Sequence, residues 1–133
     1  MAVTEQTGAV ARVNGPVVHL TGLGNASRFE FVEVGCRRLP GEIITIDQDI
    51  AVAQLYEYTG GLQVGEPAAA MGHPLTVELG PGLLGGIYDG LLRPLEEASE
   101  FLRPTGLTRP PAGAYEFEPA VGTGELVEPG TLL

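Results

Sequence analysis

A mainly β fold, built around one small closed or nearly closed barrel, is what three features of the sequence predict. Five or six short β-prone runs recur at spacings of about 10 residues over positions 8–71. Gly and Pro, 20 and 11 of 133 residues, stand between these runs as punctuation and form no low-complexity tract. Short strands left in an open row would present two unpaired edges, so closure is expected. After the barrel, the pattern changes to a strand, a stretch with helical periodicity and then the opening of a second β-rich unit.

The first two runs, 8–13 and 16–20, are joined at Asn14-Gly15, a dipeptide that accepts positive φ and favours a tight hairpin. Over 28–34 the residues Phe29, Phe31, Val32 and Val34 alternate with Glu30 and Glu33, which reads as a half-solvated third strand. Pro40-Gly41 is expected to turn the chain. The runs 42–47, with Ile43, Ile44 and Ile46, and 50–58, with Ala51, Ala53, Leu55, Tyr56 and Tyr58, give two more strands. Thr59-Gly60-Gly61 and Val64-Gly65 interrupt the chain before a last barrel run at 67–71.

Residues 75–79 read as a separate strand after His73-Pro74. From Leu83, apolar residues at 83, 84, 87, 91, 92 and 95 predict a helix over 83–95, weakened at Pro94. Gly85, Gly86 and Gly90 each cost that helix about 1 kcal/mol against Ala, so it depends on packing against something else. The segment is expected to be poorly covered in this chain and to serve as an interaction surface; full burial of Leu84, Ile87, Leu91 and Leu95 within one monomer would contradict an interrupted domain. Residues 103–113 form a Pro-rich linker. Positions 115–117 and 121–130 then look like the first strands of another β unit. The division expected is a barrel at 1–72, a strand-helix segment at 73–100 and a partial β segment at 101–133.

A formal net charge of -10 and a pI near 4.4 oppose binding to nucleic acid or to an anionic membrane. A protein partner is the expectation, with no nucleic acid and no direct membrane contact. There is no run of about 18 apolar residues and the first residues lack a positively charged start, so a soluble cytoplasmic chain is expected. Cys36 is the single cysteine, which excludes an internal disulfide or a cysteine metal cluster. It is read as a small packing residue or a free thiol between strands.

Gly80, Gly82 and Gly85 satisfy G-x-G-x-x-G, and Gly80 with Gly85 supplies the glycines of a P-loop. Gly86 and Ile87 occupy the places of its Lys and Ser or Thr. All seven basic residues are Arg, so phosphate-binding, Schiff-base and lipoyl or biotinyl lysines are excluded together. A dinucleotide fold would place an acid about 20 residues on, where Glu100 stands, but no second apolar strand follows.

The other candidates for chemistry are weak. His19 and His73 lack partner ligands at metal-site spacing and read as strand-end or loop residues. Asp47 with Asp49, and Glu96 with Glu97, read as solvated edges of an acidic chain. Ser27 and Ser99 have no G-x-S-x-G setting. Arg93 has a defined setting, with Asp89 four residues before it on the expected helix. No catalytic, cofactor-binding or metal residue is therefore expected here.

Taken in order, the chain resembles the N-terminal part of the catalytic subunit of vacuolar and archaeal-type rotary ATPases. The likeness is carried by Gly8-x-Val10-x-x-Val13-x-Gly15-Pro16-Val17-Val18, by Glu33-Val34-Gly35, and by Leu39-x-Gly41-Glu42-Ile43-Ile44. It continues in Gln54-x-Tyr56-Glu57-x-Thr59-x-Gly61-Leu62-x-x-Gly65-x-Pro67 and Gly72-x-Pro74-Leu75-x-Val77-Glu78-Leu79-Gly80-Pro81-Gly82-Leu83. The block Ile87-Tyr88-Asp89-Gly90-Leu91-x-Arg93-Pro94-Leu95 separates this subunit from its non-catalytic and mitochondrial-type relatives. The resemblance covers about residues 8–130, with departures at Pro40, at Leu92 where Gln is usual, and at Tyr115 where Trp is usual.

The resemblance implies a six-stranded β-barrel that joins neighbouring barrels in a ring at the end of the hexameric head away from the membrane. It implies that 75–95 enters an α/β nucleotide domain and that 101–133 begins the bulge insertion. The implied partners are neighbouring subunits of the head, in the cytoplasm and peripheral to the membrane. The family's P-loop, catalytic Glu and arginines lie beyond the bulge, so Mg-ATP belongs to the parent subunit and no cofactor to this chain. The expectation is an assembly part of that subunit. The rival is a free-standing β-barrel interaction module derived from the family, with no energy coupling.

Overall fold

The computed structural model describes residues 5–95, 116 and 118–132, and in it six strands close into one antiparallel barrel. The strands are β1 (Gln6–Asn14), β2 (Val17–Thr21), β3 (Phe31–Val34), β4 (Leu39–Asp47), β5 (Ile50–Leu55) and β6 (Pro67–Ala70). Their order around the barrel is β1-β2-β5-β4-β3-β6. Closure comes from β6 pairing with β1, Gln6 opposite Ala70 and Ala9 opposite Pro67. All six strands thus have two neighbours, as the avoidance of exposed edges requires.

Period-two alternation decides what fills the barrel. Val18 and Leu20 of β2, Val32 and Val34 of β3, Ala51 and Ala53 of β5, and Ala68 and Ala70 of β6 all point inward and are buried. The alanines of β5 and β6 stand on opposite walls, three strands apart, which keeps the lumen narrow enough for Leu20, Leu39 and Ile43 to fill it. Leu23, from the β2–β3 connection, is also fully buried in this core. Bulges between Val10 and Arg12 and between Ile43 and Thr45 bend β1 and β4, the two nine-residue strands.

The turns correct the sequence reading in two places. The β1–β2 reversal falls one residue later than expected, at Gly15-Pro16, with Gly15 at φ 59 and Asn14 ending its strand. Pro40-Gly41 does not turn the chain; both residues lie buried within β4. The reversal is made upstream by residues 35–38, where the Arg38 N–H donates to the Gly35 carbonyl at 2.9 Å. Gly41 is needed for close approach instead, because a Cβ there would lie 2.5 Å from Leu55 Cδ2 and 2.6 Å from the Gln54 carbonyl oxygen.

After Gly72 the chain departs from expectation more fully. Residues 75–79 form no strand, and 83–95 form no helix. A single 3-10 turn spans Pro81–Leu83, followed by a tight loop in which Tyr88 and Pro94 form an isolated antiparallel bridge. Gly85 at φ 85 and Leu92 at φ 56 are incompatible with a continuous right-handed helix. Three glycines and a proline remove the local drive to helix, and apolar periodicity supplies none without a surface to pack on. Among residues 118–132 there is again no strand, only turns closed by Glu125 N–H to Gly122 O and Thr131 N–H to Glu128 O. Expectations for 96–115 and for Phe117 lie outside the described residues.

Candidate functional site

The arm that leaves the barrel, residues 73–95, starts at one end of it and is fixed at the other. At the first end the Phe31 N–H donates to the His73 carbonyl at 2.9 Å. Beside this contact Glu30, only 5% exposed, accepts from the Ser27 N–H at 2.7 Å and the Gly72 N–H at 2.6 Å. A buried carboxylate with two backbone donors is satisfied as an acceptor and ties the β2–β3 connection to the exit of β6.

At the opposite end Arg93 closes the arm. Asp89 Oδ1 accepts from the Leu91 and Arg93 N–H groups, each at 2.9 Å, and Asp89 Oδ2 accepts from Arg93 Nε at 2.6 Å. Arg93 Nη1 pairs with Glu57, which follows β5. Burial works against charge on Asp89, but the hydrogen bonds from Arg93 and Leu91 outweigh it and hold its carboxyl below the usual aspartate range. The side chains of Arg93, Asp89 and Glu57 are 14%, 17% and 7% exposed, so this latch is largely out of water, and it closes a loop and not the expected helix.

Between its two anchors the arm faces solvent with apolar side chains. Leu79 is 80% exposed, Leu84 84% and Ile87 62%, and Val77 and Leu95 are also exposed. The four residues singled out from the sequence are therefore not buried together within the chain. Side chains of this size leave a docking surface where they cluster.

Other sequence candidates scatter. His19 lies half-buried in β2, opposite Arg12 and Val52, while His73 sits in the arm with Nδ1 2.6 Å from the Pro74 carbonyl. Asp47 ends β4, and Asp49 accepts from the Gly22 N–H at 3.1 Å, so each has a separate role. Ser27 contributes its backbone N–H. Cys36 is exposed in the β3–β4 turn and does not pack between strands. Its N–H donates to Glu66, whose carboxyl the Cys36 and Gln63 N–H groups hold below the usual range. Among the described residues no group of His, Cys, Asp and Glu is placed to hold a metal ion, and no helix is long and apolar enough to cross a membrane.

The glycine pattern at 80–85 builds no phosphate cradle. Gly80 is extended, the following 3-10 turn is three residues long, and no helix N-terminus presents its N–H groups. Glu96, Glu97, Ser99 and Glu100 lie outside the described residues. Sequence reasoning missed Glu57 and Glu30. Glu30 had a faint signal in Ser27-x-x-Glu30, a capping-box spacing used here without a helix. For Glu57 there was none, since its partner is 36 residues away.

A profile of the ATP synthase alpha/beta family, beta-barrel domain, matches residues 3–72, the stretch that holds all six strands. Similarity continues past the barrel. A V-type ATP synthase alpha chain of Anaeromyxobacter dehalogenans (strain 2CP-C) is 50% identical over 134 residues, covering 96% of this chain and 23% of the relative. An A-type ATP synthase subunit of Metallosphaera sedula is 48% identical over 133 residues, covering 95% of this chain and 22% of the relative. A V-type proton ATPase catalytic subunit of Trypanosoma congolense is 41% identical over 138 residues, covering 98% and 23%. The chain thus spans less than a quarter of the length of these relatives. On the matched barrel and its observed closure, the chain belongs to the ATP synthase alpha/beta family.

Proposed function

We propose that this chain is the N-terminal assembly part of the catalytic subunit of a V/A-type rotary ATPase. Its barrel joins the barrels of neighbouring subunits in the hexameric head, in the cytoplasm and peripheral to the membrane. The intact subunit couples ATP hydrolysis or synthesis to ion transport. One observation carries the reading: identity to V- and A-type subunits covers at least 95% of the chain, well beyond the barrel at 3–72. The solvent-facing leucines and Ile87 of the arm support it, because they have the character of a surface built to meet a further domain.

This chain itself takes no nucleotide in that reading. Without Lys or a Ser/Thr after the glycines, the β/γ-phosphates have no ammonium partner and Mg²⁺ no hydroxyl ligand. Calorimetric titration with Mg-ATP is expected to give no heat of binding, and a micromolar dissociation constant contradicts this point. The assembly role is tested by adding the chain to dissociated V/A-type heads and following reassembly by native mass spectrometry. Incorporation in place of a catalytic subunit supports it; exclusion from all hexameric species overturns it.

The barrel's self-sufficiency favours a second reading, a free-standing interaction module without energy coupling. The gene decides between them. An open frame that continues into G-x-x-x-x-G-K-[ST] supports the first reading, and a stop after Leu133 supports the second.

A further inference from the structure

On one of its two sides β4 outruns its neighbour. Its ladder with β5 continues to Asp47, opposite Ile50, but on the other side β3 begins only at Phe31, opposite Glu42. Ile43 is still met there by the chain before β3: the Phe29 N–H donates to the Ile43 carbonyl at 2.8 Å, and the Ile43 N–H donates to the Glu30 carbonyl at 3.0 Å. Beyond Ile43, among the described residues, no backbone group bonds β4 on this side. Residues 44–47 therefore hold an open edge in an otherwise closed barrel.

This stretch is poorly suited to stand open. Ile43-Ile44-Thr45-Ile46 places four β-branched residues in succession, a run found nowhere else in the sequence, bounded by a single acid at each end, Glu42 and Asp47. Such a run on an exposed edge is a template for an added strand.

Arg28 and Phe29 stand at that edge. Arg28 Nε donates to the Ile44 carbonyl at 3.1 Å, at the bulge of β4, so a side chain takes the place of the next ladder bond. The guanidinium carbon lies 5.3 Å from the Phe29 ring centroid, a cation–π contact that orients it. Phe29 itself has φ 67, where glycine would be unstrained, and its ring is 56% exposed, so neither backbone nor core accounts for an aromatic here. Holding Arg28 does. The left-handed residue also turns the preceding chain out of the ladder, which is why β3 does not run on to cover 44–47.

We propose that Arg28 and Phe29 form an edge guard, which keeps an extended strand of a second copy of this chain from adding to β4 at residues 44–47. The guanidinium occupies the Ile44 carbonyl, the ring fixes the guanidinium, and the strain at Phe29 follows from placing both. The guard protects the isolated barrel and does not rest on the assembly reading above.

The test follows aggregation of the whole chain by thioflavin T fluorescence and by loss of monomer in sedimentation velocity. Arg28→Ala and Phe29→Gly are each expected to form strand-paired aggregates at least about tenfold faster than the wild type. Because glycine suits the backbone at 29, Phe29→Gly is also expected to keep or raise the thermal midpoint, which separates a lost guard from a weakened fold. Thr45 is exposed on the open stretch, and adding Thr45→Lys to either variant is expected to return the rate to that of the wild type. In the aggregates, amides of 44–47 should become protected from hydrogen exchange. Either single variant aggregating no faster than the wild type overturns the guard, as does faster aggregation that Thr45→Lys leaves unchanged or in which 44–47 still exchange freely. A lowered thermal midpoint in both variants overturns it too, since loss of fold then explains the aggregation.

Discussion

The barrel and the arm are made from similar residues, yet only the barrel obeys its apolar pattern. In the barrel, period-two alternation is met by a neighbour on both sides of every strand, and Leu20, Leu39 and Ile43 are fully buried. In the arm, a 3.6-residue period over 83–95 meets no covering surface among the described residues, and the chain folds into a loop held by Asp89 and Arg93. The difference teaches that an apolar period records a surface to be covered. It becomes the matching secondary structure only when the covering surface is present.

The sharpest way to break this comparison is to make one truncation in each region. Ile43→Ala is expected to cost about 3 kcal/mol, because it removes buried methylenes and leaves a cavity in a small lumen. Leu84→Ala is expected to cost less than about 0.5 kcal/mol, as for other exposed positions. Chemical denaturation of both variants checks the pair. Equal losses would mean that the arm is packed as tightly as the barrel.

A somewhat smaller effect is expected where the two regions join. Glu30→Ala leaves the Ser27 and Gly72 N–H groups without their acceptor and is expected to cost about 2 kcal/mol in the same measurement. Arg93→Met opens the latch at the other end and lets Glu57 and Asp89 return to water. The cost is expected to be confined to local opening of 86–95, whose amides exchange faster, with little change in the global unfolding free energy. A large global loss on Arg93→Met would make the arm part of the barrel's cooperative unit.

Acid sharpens the comparison by the smallest margin. Asp89 and Glu66 both have folded carboxyls below the usual range, Asp89 through Arg93 and Leu91 despite its burial, Glu66 through Cys36 and Gln63. A depressed folded pKa adds stability that is present above the ordinary carboxylate range and is lost as pH falls below it, through the folded value. Protection of the 86–95 loop and of the turns at 36 and 63 should therefore decline below about pH 4, before the buried ladders of β2 and β5 open. Loss of all amides at one pH contradicts this order.

The sequence made the barrel legible because strand alternation and Gly/Pro punctuation are local signals, and all six strands lie close to their expected runs. What it hid was tertiary in origin. Pro40-Gly41 looks like a turn, but Gly41 is required by the approach of Leu55, a contact between residues 14 apart in sequence. Gln48 at φ 53 makes the β4–β5 turn without any glycine signal. At the candidate site, Arg93 with Asp89 was visible from spacing, though on a helix that does not form. Glu57 was invisible because nothing local marks a partner 36 residues away. Phe29 was read as an ordinary strand residue, and its left-handed backbone has no sequence signature.

Native-state hydrogen exchange along the whole chain compares barrel and arm in one measurement. The barrel is held to be a complete folding unit to which the arm is fastened at its two ends. The slowest amides are expected to lie within 6–70 and to share one opening free energy, while those of 73–95 and 118–132 exchange through small local openings. Uniform protection across all three regions would contradict it, since a segment with its apolar side chains in solvent would then be as strongly held as the core.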